Sequence, residues 1–501
     1  MKPAVAFLVC AAFCGCAAAG QGPQGPHGQR RAAGQVRPRL SLQPCPGADG
    51  ELGAQCGTYE VYEDRAAKTG RKISLNVVVV PALSATPPAD PVFWLHGGPG
   101  AAATQVAAAA KNDFLAGLRK QRDLVFVDQR GTGSSNPLMC DIGDDSADLP
   151  GFFGDLFPPA KLRECRARLE RTANLALYTT PIAMDDLDEV RDALGYGKIN
   201  LVAGSYGTVA AQVYMRQHPE SVRAVFLLGV ANTGIKQPLP FAAGAQHAID
   251  RLFEDCAADK ACGAAFPNLR VEFAEVMARF AKGSVTAELI NLATKQKQPV
   301  SITRGNFVER LRLGLYTTAT ARFVPFIIHQ AYQNDYLPFQ ALAMRSNVGA
   351  LVARGMYMTV TCSESVPFIT EQDIARETKG TFVGDYRVRS HIEACKEWPR
   401  GQIPPSYIEP VKSDAPVLMI SGDLDASTPV WVGESALKYL PNGRQVKIRY
   451  YGHQADDRCI WKILDDFIDK ANAAAIDVSC TERIRRPPFV TSQRDSPSLP
   501  E

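Results

Sequence analysis

Three residues far apart in the chain, Ser205, Asp425 and His453, have the types and the order needed for nucleophilic acyl transfer. A serine hydroxyl is a poor nucleophile at neutral pH. It needs a base beside it, and an acid that holds the base in the right tautomer. Ser205 ends the apolar run Ile199-Asn-Leu-Val-Ala-Gly-Ser-Tyr-Gly-Thr208. There a strand is predicted to stop, turn sharply and lead into a helix from Thr208 to about Gln217, with the serine at the tip. Such a turn brings strand and helix close together and calls for small residues on both sides, here Ala203 and Gly207. Glycine is more usual at the first of these, so Ala203 is a mild departure. Asp425 lies in Ser421-Gly-Asp-Leu-Asp-Ala-Ser-Thr-Pro429, after the apolar run Val417 to Ile420. Asp423 competes with it for the acid's place. Asp425 is preferred because the loop needs a few residues to leave its strand and approach the histidine. His453 comes after an apolar run ending at Tyr450-Tyr451. His218 ends the helix after Ser205, and His247, His329 and His391 lie in helical chain where packing or solvated roles are expected.

The negative oxygen of a tetrahedral intermediate needs two amide donors. One is the N–H of Tyr206, at the start of the helix. The other is expected from Gly97 or Gly98 in His96-Gly-Gly-Pro-Gly100, directly after the apolar run Val92 to Leu95. Asp128-Gln-Arg-Gly-Thr-Gly133 reads as a structural turn beneath the site.

These groups must be carried by strands that end on one side of a sheet. A hairpin is predicted over Thr58 to Val80 with Lys68-Thr-Gly70 at its turn. Nearly continuous apolar runs come next at Val92–Leu95, Leu124–Val127, Ile199–Val202, Ala224–Leu228, Val417–Ile420 and Val446–Tyr451, as expected of parallel strands buried on both faces. A helix is predicted from Thr180, as cap, with Pro181 in its first turn, to a stop at Gly195 or Gly197. Alternating strand and helix give an α/β, doubly wound sheet whose sites lie at the carboxyl ends of the strands. Between Gly234 and about Asp414 the strand runs disappear and helical segments succeed one another, so a mainly helical cap is expected to be inserted over that edge. The predicted boundaries are a core of residues 45–235, a cap of 236–413 and a second core part of 414–482.

The whole chain fits this class. It has 501 residues, 46% of them apolar and 21% charged, which suits a globular protein with a sizeable core. A net charge of +3 is too small to imply a nucleic-acid partner. Residues 1–19 read as an export signal: Lys2, an apolar stretch from Ala4 to Phe13, then small residues. Two endings compete, ordinary cleavage after Ala17-Ala18-Ala19 and a lipoprotein signal with Cys16 as lipid acceptor. A lipid anchor at Cys16 is the one membrane attachment expected. Residues 20–44 then form a flexible spacer containing His27, and residues 483–501 a disordered tail. Setting aside Cys10, Cys14 and Cys16 leaves ten of the thirteen cysteines, an even number that suits an oxidising compartment. Sequential pairing is expected: Cys45/Cys56, Cys140/Cys165, Cys256/Cys262, Cys362/Cys395 and Cys459/Cys480.

His96-Gly-Gly-Pro-Gly100, Asp128-Gln-Arg-Gly-Thr-Gly-Ser134, Gly204-Ser-Tyr-Gly-Thr208 and Gly422-Asp-Leu-Asp425 with Thr428-Pro429 together resemble the proline iminopeptidase and tripeptidyl aminopeptidase family of serine peptidases. The resemblance runs from about Thr58 to Cys480 and is nearest to the family's exported tripeptidyl-aminopeptidase-like branch. It implies an α/β-hydrolase fold and cleavage of peptide bonds near a free N-terminus, tripeptidyl- or prolyl-type, through an acyl-enzyme. It also implies a group that holds the substrate's α-ammonium. Val360-Thr-Cys-Ser-Glu-Ser365 resembles the family segment that supplies it, which makes Glu364 the candidate. No cofactor or metal is implied, because nucleophile, base and acid are all side chains. A carboxylesterase with the same triad, and a catalytically silent binding protein on a hydrolase scaffold, are the competing readings. The expected partners are peptides with a free N-terminus.

Overall fold

The computed structural model describes residues 40–47, 52–111, 114–143, 145, 147–346, 352–454 and 457–492. The export signal, Cys16 and most of the spacer lie outside them. A nine-stranded sheet forms the centre. Its strands are β1 (Gln43–Pro44), β2 (Gln55–Tyr62), β3 (Lys72–Val80), β4 (Val92–Leu95), β5 (Leu124–Val127), β6 (Ile199–Gly204), β7 (Val222–Leu228), β10 (Val417–Gly422) and β11 (Gly443–Ile448). They lie in the order β1-β2-β3-β5-β4-β6-β7-β10-β11. From β5 to β11 neighbours are parallel, and β1 to β3 add an antiparallel edge. The parallel strands carry Val, Leu, Ile and Phe on both faces because clusters of apolar side chains cover both sides of the sheet.

Two helices flank the turn at Ser205, α1 (Thr180–Ala193) and α2 (Tyr206–Gln217). Gly195, at φ +80°, ends the chain's helical path after α1 as expected. Thr180 does not cap α1, however. Thr179 holds the capping position without a side-chain bond, and the Thr180 hydroxyl turns inward to Glu364 and Tyr206.

The insertion between β7 and β10 is mainly helical. Its helices used below are α3 (Pro240–Ala258), α4 (Arg304–Gly314), α5 (Arg354–Glu364) and α6 (Tyr386–Lys396). It also holds an unexpected hairpin, β8 (Val285–Ile290) with β9 (Lys297–Ile302). Ala287 and Leu289 point inward on alternate positions there, a period of two that short helices on either side obscure. Packing does not respect the 236–413 boundary. Met356, Tyr357, Met358 and Val360 of α5 belong to the main core cluster, whereas Leu149, Phe152 and Phe153, from the chain before β6, belong to the cap's own cluster.

Three further expectations are corrected. Strand β11 ends at Ile448 and not at Tyr451, because a turn closes from Tyr451 N–H onto the Ile448 carbonyl. Residues 40–44 are not spacer: Leu40 and Leu42 pack on the core and β1 pairs with β2. Nor does the tail leave the surface at residue 483. Beyond helix α7 (Arg458–Lys470), Ile484 and Val490 are buried and Arg486 pairs with Asp255 of α3. The five disulfides form in sequential pairs, as expected.

Candidate active site

Ser205 sits between β6 and α2 at φ 55°, a left-handed backbone that a non-glycine residue adopts only when its surroundings impose it. Several contacts impose it here. Ser205 N–H donates to the Leu228 carbonyl at 2.9 Å, and Thr208 Oγ1 donates to the Ser205 carbonyl at 2.6 Å. Gly207 is required by close approach: a Cβ there would fall 2.2 Å from the Leu95 carbonyl oxygen. Ala203 is wholly buried in β6, paired with Leu95 and Leu227, so alanine fits where glycine was the more usual expectation.

Asp425 comes after β10 and His453 after β11, and both reach Ser205 at the carboxyl edge of the sheet. Ser205 Oγ lies 2.8 Å from His453 Nε2. His453 Nδ1 lies 2.9 and 3.1 Å from the two carboxylate oxygens of Asp425. Gly229, at φ +61°, leaves room for the imidazole: a Cβ there would meet His453 Cε1 at 3.2 Å. Asp425 is 1% exposed and well supplied with donors. The N–H groups of Ser427 and Thr428 reach Oδ1 at 2.8 Å each, and Thr428 Oγ1 reaches Oδ2 at 2.7 Å. Burial alone would push this carboxyl up. The charge and hydrogen bond of His453, with the Thr428 and Ser427 amides, outweigh burial and hold it below the usual aspartate range. The carboxylate is therefore ionised and fixes the proton of His453 on Nδ1, leaving Nε2 free to accept from Ser205. Asp423 is elsewhere. It is half-buried beside His247 of α3, with Nε2 3.5 Å from Oδ1, and has no contact with His453.

The glycine loop after β4 adjoins the serine, with Gly97 so close that a Cβ would lie 3.0 Å from that of Ser205. Its two candidate amides differ. The Gly97 N–H donates to Nδ1 of its own neighbour His96 at 2.8 Å, whereas no hydrogen bond among the described residues occupies that of Gly98. Burial lowers the His96 pKa, with Asp128 opposing, so its Nδ1 stays an acceptor. Tyr206 is the first residue of α2, whose opening N–H groups have no partners within the helix. Beneath the site, Arg130 is fully buried and holds Asp186 through two bonds of 2.6 and 2.9 Å.

Glu364 is not placed as an open anchor. It is 3% exposed at the end of α5. Its Oε1 accepts from Thr180 N–H at 2.6 Å, and its Oε2 accepts from Thr180 Oγ1 at 2.7 Å and from the Tyr407 hydroxyl. The Thr180 hydroxyl is 2.6 Å from that of Tyr206. Burial raises the Glu364 pKa to about 7 against those hydrogen bonds, and no cation lies beside it among the described residues. A carboxylate that holds an ammonium must turn an oxygen to the substrate; this one spends its oxygens tying α5 to α1. No site role was read from the sequence for Thr428, quoted only within a family motif, for Thr180, expected only as a helix cap, or for Gly229. Of these only Thr428 carried a signal, a hydroxyl three positions after a loop aspartate.

Comparison with known proteins agrees with this architecture. Residues 90–265 match the family model of the α/β hydrolase fold, and residues 380–480 that of TAP-like proteins. The tripeptidyl aminopeptidase of Streptomyces coelicolor is 32% identical over 190 residues, 36% of this chain and 35% of that protein. The serine protease Hip1 of Mycobacterium tuberculosis is 28% identical over 232 residues, 42% of this chain and 43% of that one. The proline iminopeptidase of Neisseria gonorrhoeae is 28% identical over 147 residues, 29% and 34% of the two chains. The chain thus spans less than half the length of each of these relatives. The fold is that of the α/β hydrolases, and the resemblance to these peptidases holds.

Proposed function

We propose that this α/β hydrolase is an exported serine peptidase that cleaves peptide bonds near free N-termini through an acyl-enzyme. The observation that carries the reading is the unbroken line Ser205 Oγ, His453 Nε2, His453 Nδ1, Asp425 at hydrogen-bond distances, on a serine held at positive φ. In the proposed reaction His453 takes the Ser205 proton as Oγ attacks the scissile carbonyl. Asp425 steadies the imidazolium without taking its proton. The carbonyl oxygen, now negative, receives the Tyr206 and Gly98 N–H groups, while His96 fixes the orientation of the Gly97 amide between them. His453 then gives its proton to the leaving amine, and water repeats the sequence on the acyl ester. Preference for free N-termini is supported by the matches to a tripeptidyl aminopeptidase and a proline iminopeptidase. Export is supported by five disulfides.

A fluorophosphonate probe should label the wild-type chain at Ser205 and leave Ser205→Ala unlabelled. In a peptide library read by mass spectrometry, fragments should leave from free N-termini and N-acetylated peptides should be spared. Equal cleavage of both sets would remove the aminopeptidase reading, and faster turnover of short acyl esters than of any peptide would favour a carboxylesterase.

A further inference from the structure

Two cap residues reach the loops that bear the proposed acid and base: Tyr316 touches both, and Arg312 touches that of Asp425. The Tyr316 carbonyl accepts from the N–H groups of His453 at 2.7 Å and Gln454 at 3.1 Å. Its ring lies against the His453 imidazole, centroids 4.9 Å apart. The Tyr316 hydroxyl receives Ser427 Oγ at 2.5 Å and Arg312 Nη1 at 3.0 Å. The same Nη1 donates to Ser427 Oγ at 2.8 Å and to the Ala426 carbonyl at 3.3 Å. Ser427 N–H in turn holds Asp425 Oδ1.

Arg312 is itself immobilised. It is 1% exposed, and its Nε and Nη2 take the two carboxylate oxygens of Glu309 at 2.9 and 2.5 Å. Arg387 of α6 adds a bond to the same carboxylate at 2.9 Å. Burial would neutralise Glu309, but Arg312 and Arg387 overcome it and hold its pKa at about 2, so the buried pair stays charged. Breaking one side of such a pair is costly, which makes this end of α4 a stiff platform.

Ser205 is fixed by the core alone, through the elbow between β6 and α2. Asp425 and His453 stand on loops after the last two strands, and the cap reaches over both. We propose that Arg312 and Tyr316 are positioning residues, a clamp through which the cap sets Asp425 and His453 in register with Ser205. The proposal rests on the reading of Ser205 as nucleophile and His453 as base. A displacement of about 1 Å in such a constellation lowers rates by orders of magnitude, so the clamp bears on chemistry and not on substrate affinity.

Two conservative variants of the full chain test it. Tyr316→Phe loses the hydroxyl but keeps the carbonyl and ring; Ser427→Ala loses the hydroxyl but keeps the N–H on Asp425. Inactivation by a fluorophosphonate should show a maximal rate lowered at least about fivefold in each, the worth of one hydrogen bond, since each hydroxyl is bonded both to the other and to Arg312. Half-saturating probe concentration and end-point stoichiometry should match the wild type. The double variant should be slowed by less than the product of the two singles, because both remove the shared Tyr316–Ser427 bond although each also removes one bond to Arg312. Wild-type rates in the singles, multiplying effects in the double, or a fall in stoichiometry alone would each overturn the clamp. An unlabelled wild type would instead overturn the serine-hydrolase reading, and the clamp with it.

Discussion

Glu364 shows how a side chain of the expected type can take a different place once its neighbours are fixed. The segment around it resembles an ammonium-binding segment, yet its partners Thr180 and Tyr407 lie far away in the chain and no spacing announces them. The consequence is thermodynamic. A carboxyl whose pKa is about 7 when folded and 4.5 as an ordinary glutamate binds more protons in the folded state between those values. Its contribution to stability is full below about pH 4.5 and is lost as pH rises through 7, a change of roughly 3 kcal/mol at most. Glu364→Gln should therefore flatten the decline in melting temperature over that window while leaving any preference for free over blocked N-termini in place. Parallel melting curves for the two proteins would contradict the buried-tie role. Ser205, Asp425 and His453 were legible as neighbours because each comes after an apolar run in a fixed order. The engagement of the Gly97 N–H by His96 was not, since it depends on where the His96 ring turns.

At the scale of elements, the sheet was readable because buried parallel strands are continuous apolar runs, and the longer cap helices because their apolar positions recur at helical spacing. The hairpin of β8 and β9 and the early end of β11 were harder. Short strands carry few periods, and Tyr450-Tyr451 extend the apolar run past the last paired residue. The loop after β11 is governed by contact with the cap. At Gly452 an added Cβ would stand 2.5 Å from the Tyr316 carbonyl oxygen and 2.6 Å from that of Leu315, both backbone atoms that cannot swing away. Gly452→Ala should cost about 1–3 kcal/mol, as overpacking does. It should also slow Ser205 labelling by pushing the His453 loop off Tyr316. Wild-type labelling and melting in this variant would show that the cap yields freely there.

Over the whole molecule, cap and sheet are laced together by segments whose sequence position suggests they belong elsewhere. The final described stretch runs from Ile484, in the cluster beside the sheet, to Val490, in the cap cluster, with Arg486 on Asp255 between them. Removing residues 484–501 should cost roughly 3–6 kcal/mol, the burial of two aliphatic side chains, measurable as a lower denaturant midpoint. An unchanged midpoint would mean that the stretch lies loosely on the surface. The composition of this stretch, rich in Pro, Ser and Arg, read as disorder because its two anchoring side chains are sparse.

Helix α5, which packs with the sheet although it lies within the insertion, bears on how new specificities could be engineered. A chimaera that exchanges residues 236–413 for another protein's cap would discard part of the recipient's own interior, together with the Thr180 and Gly100 partners that α5 and Ala353 provide. To keep that interior intact a graft must spare residues 352–364 together with 394–413, where Cys395 bridges Cys362 and Tyr407 bonds Glu364, and whatever replaces the chain before residue 352 must again supply the Arg312 and Tyr316 contacts.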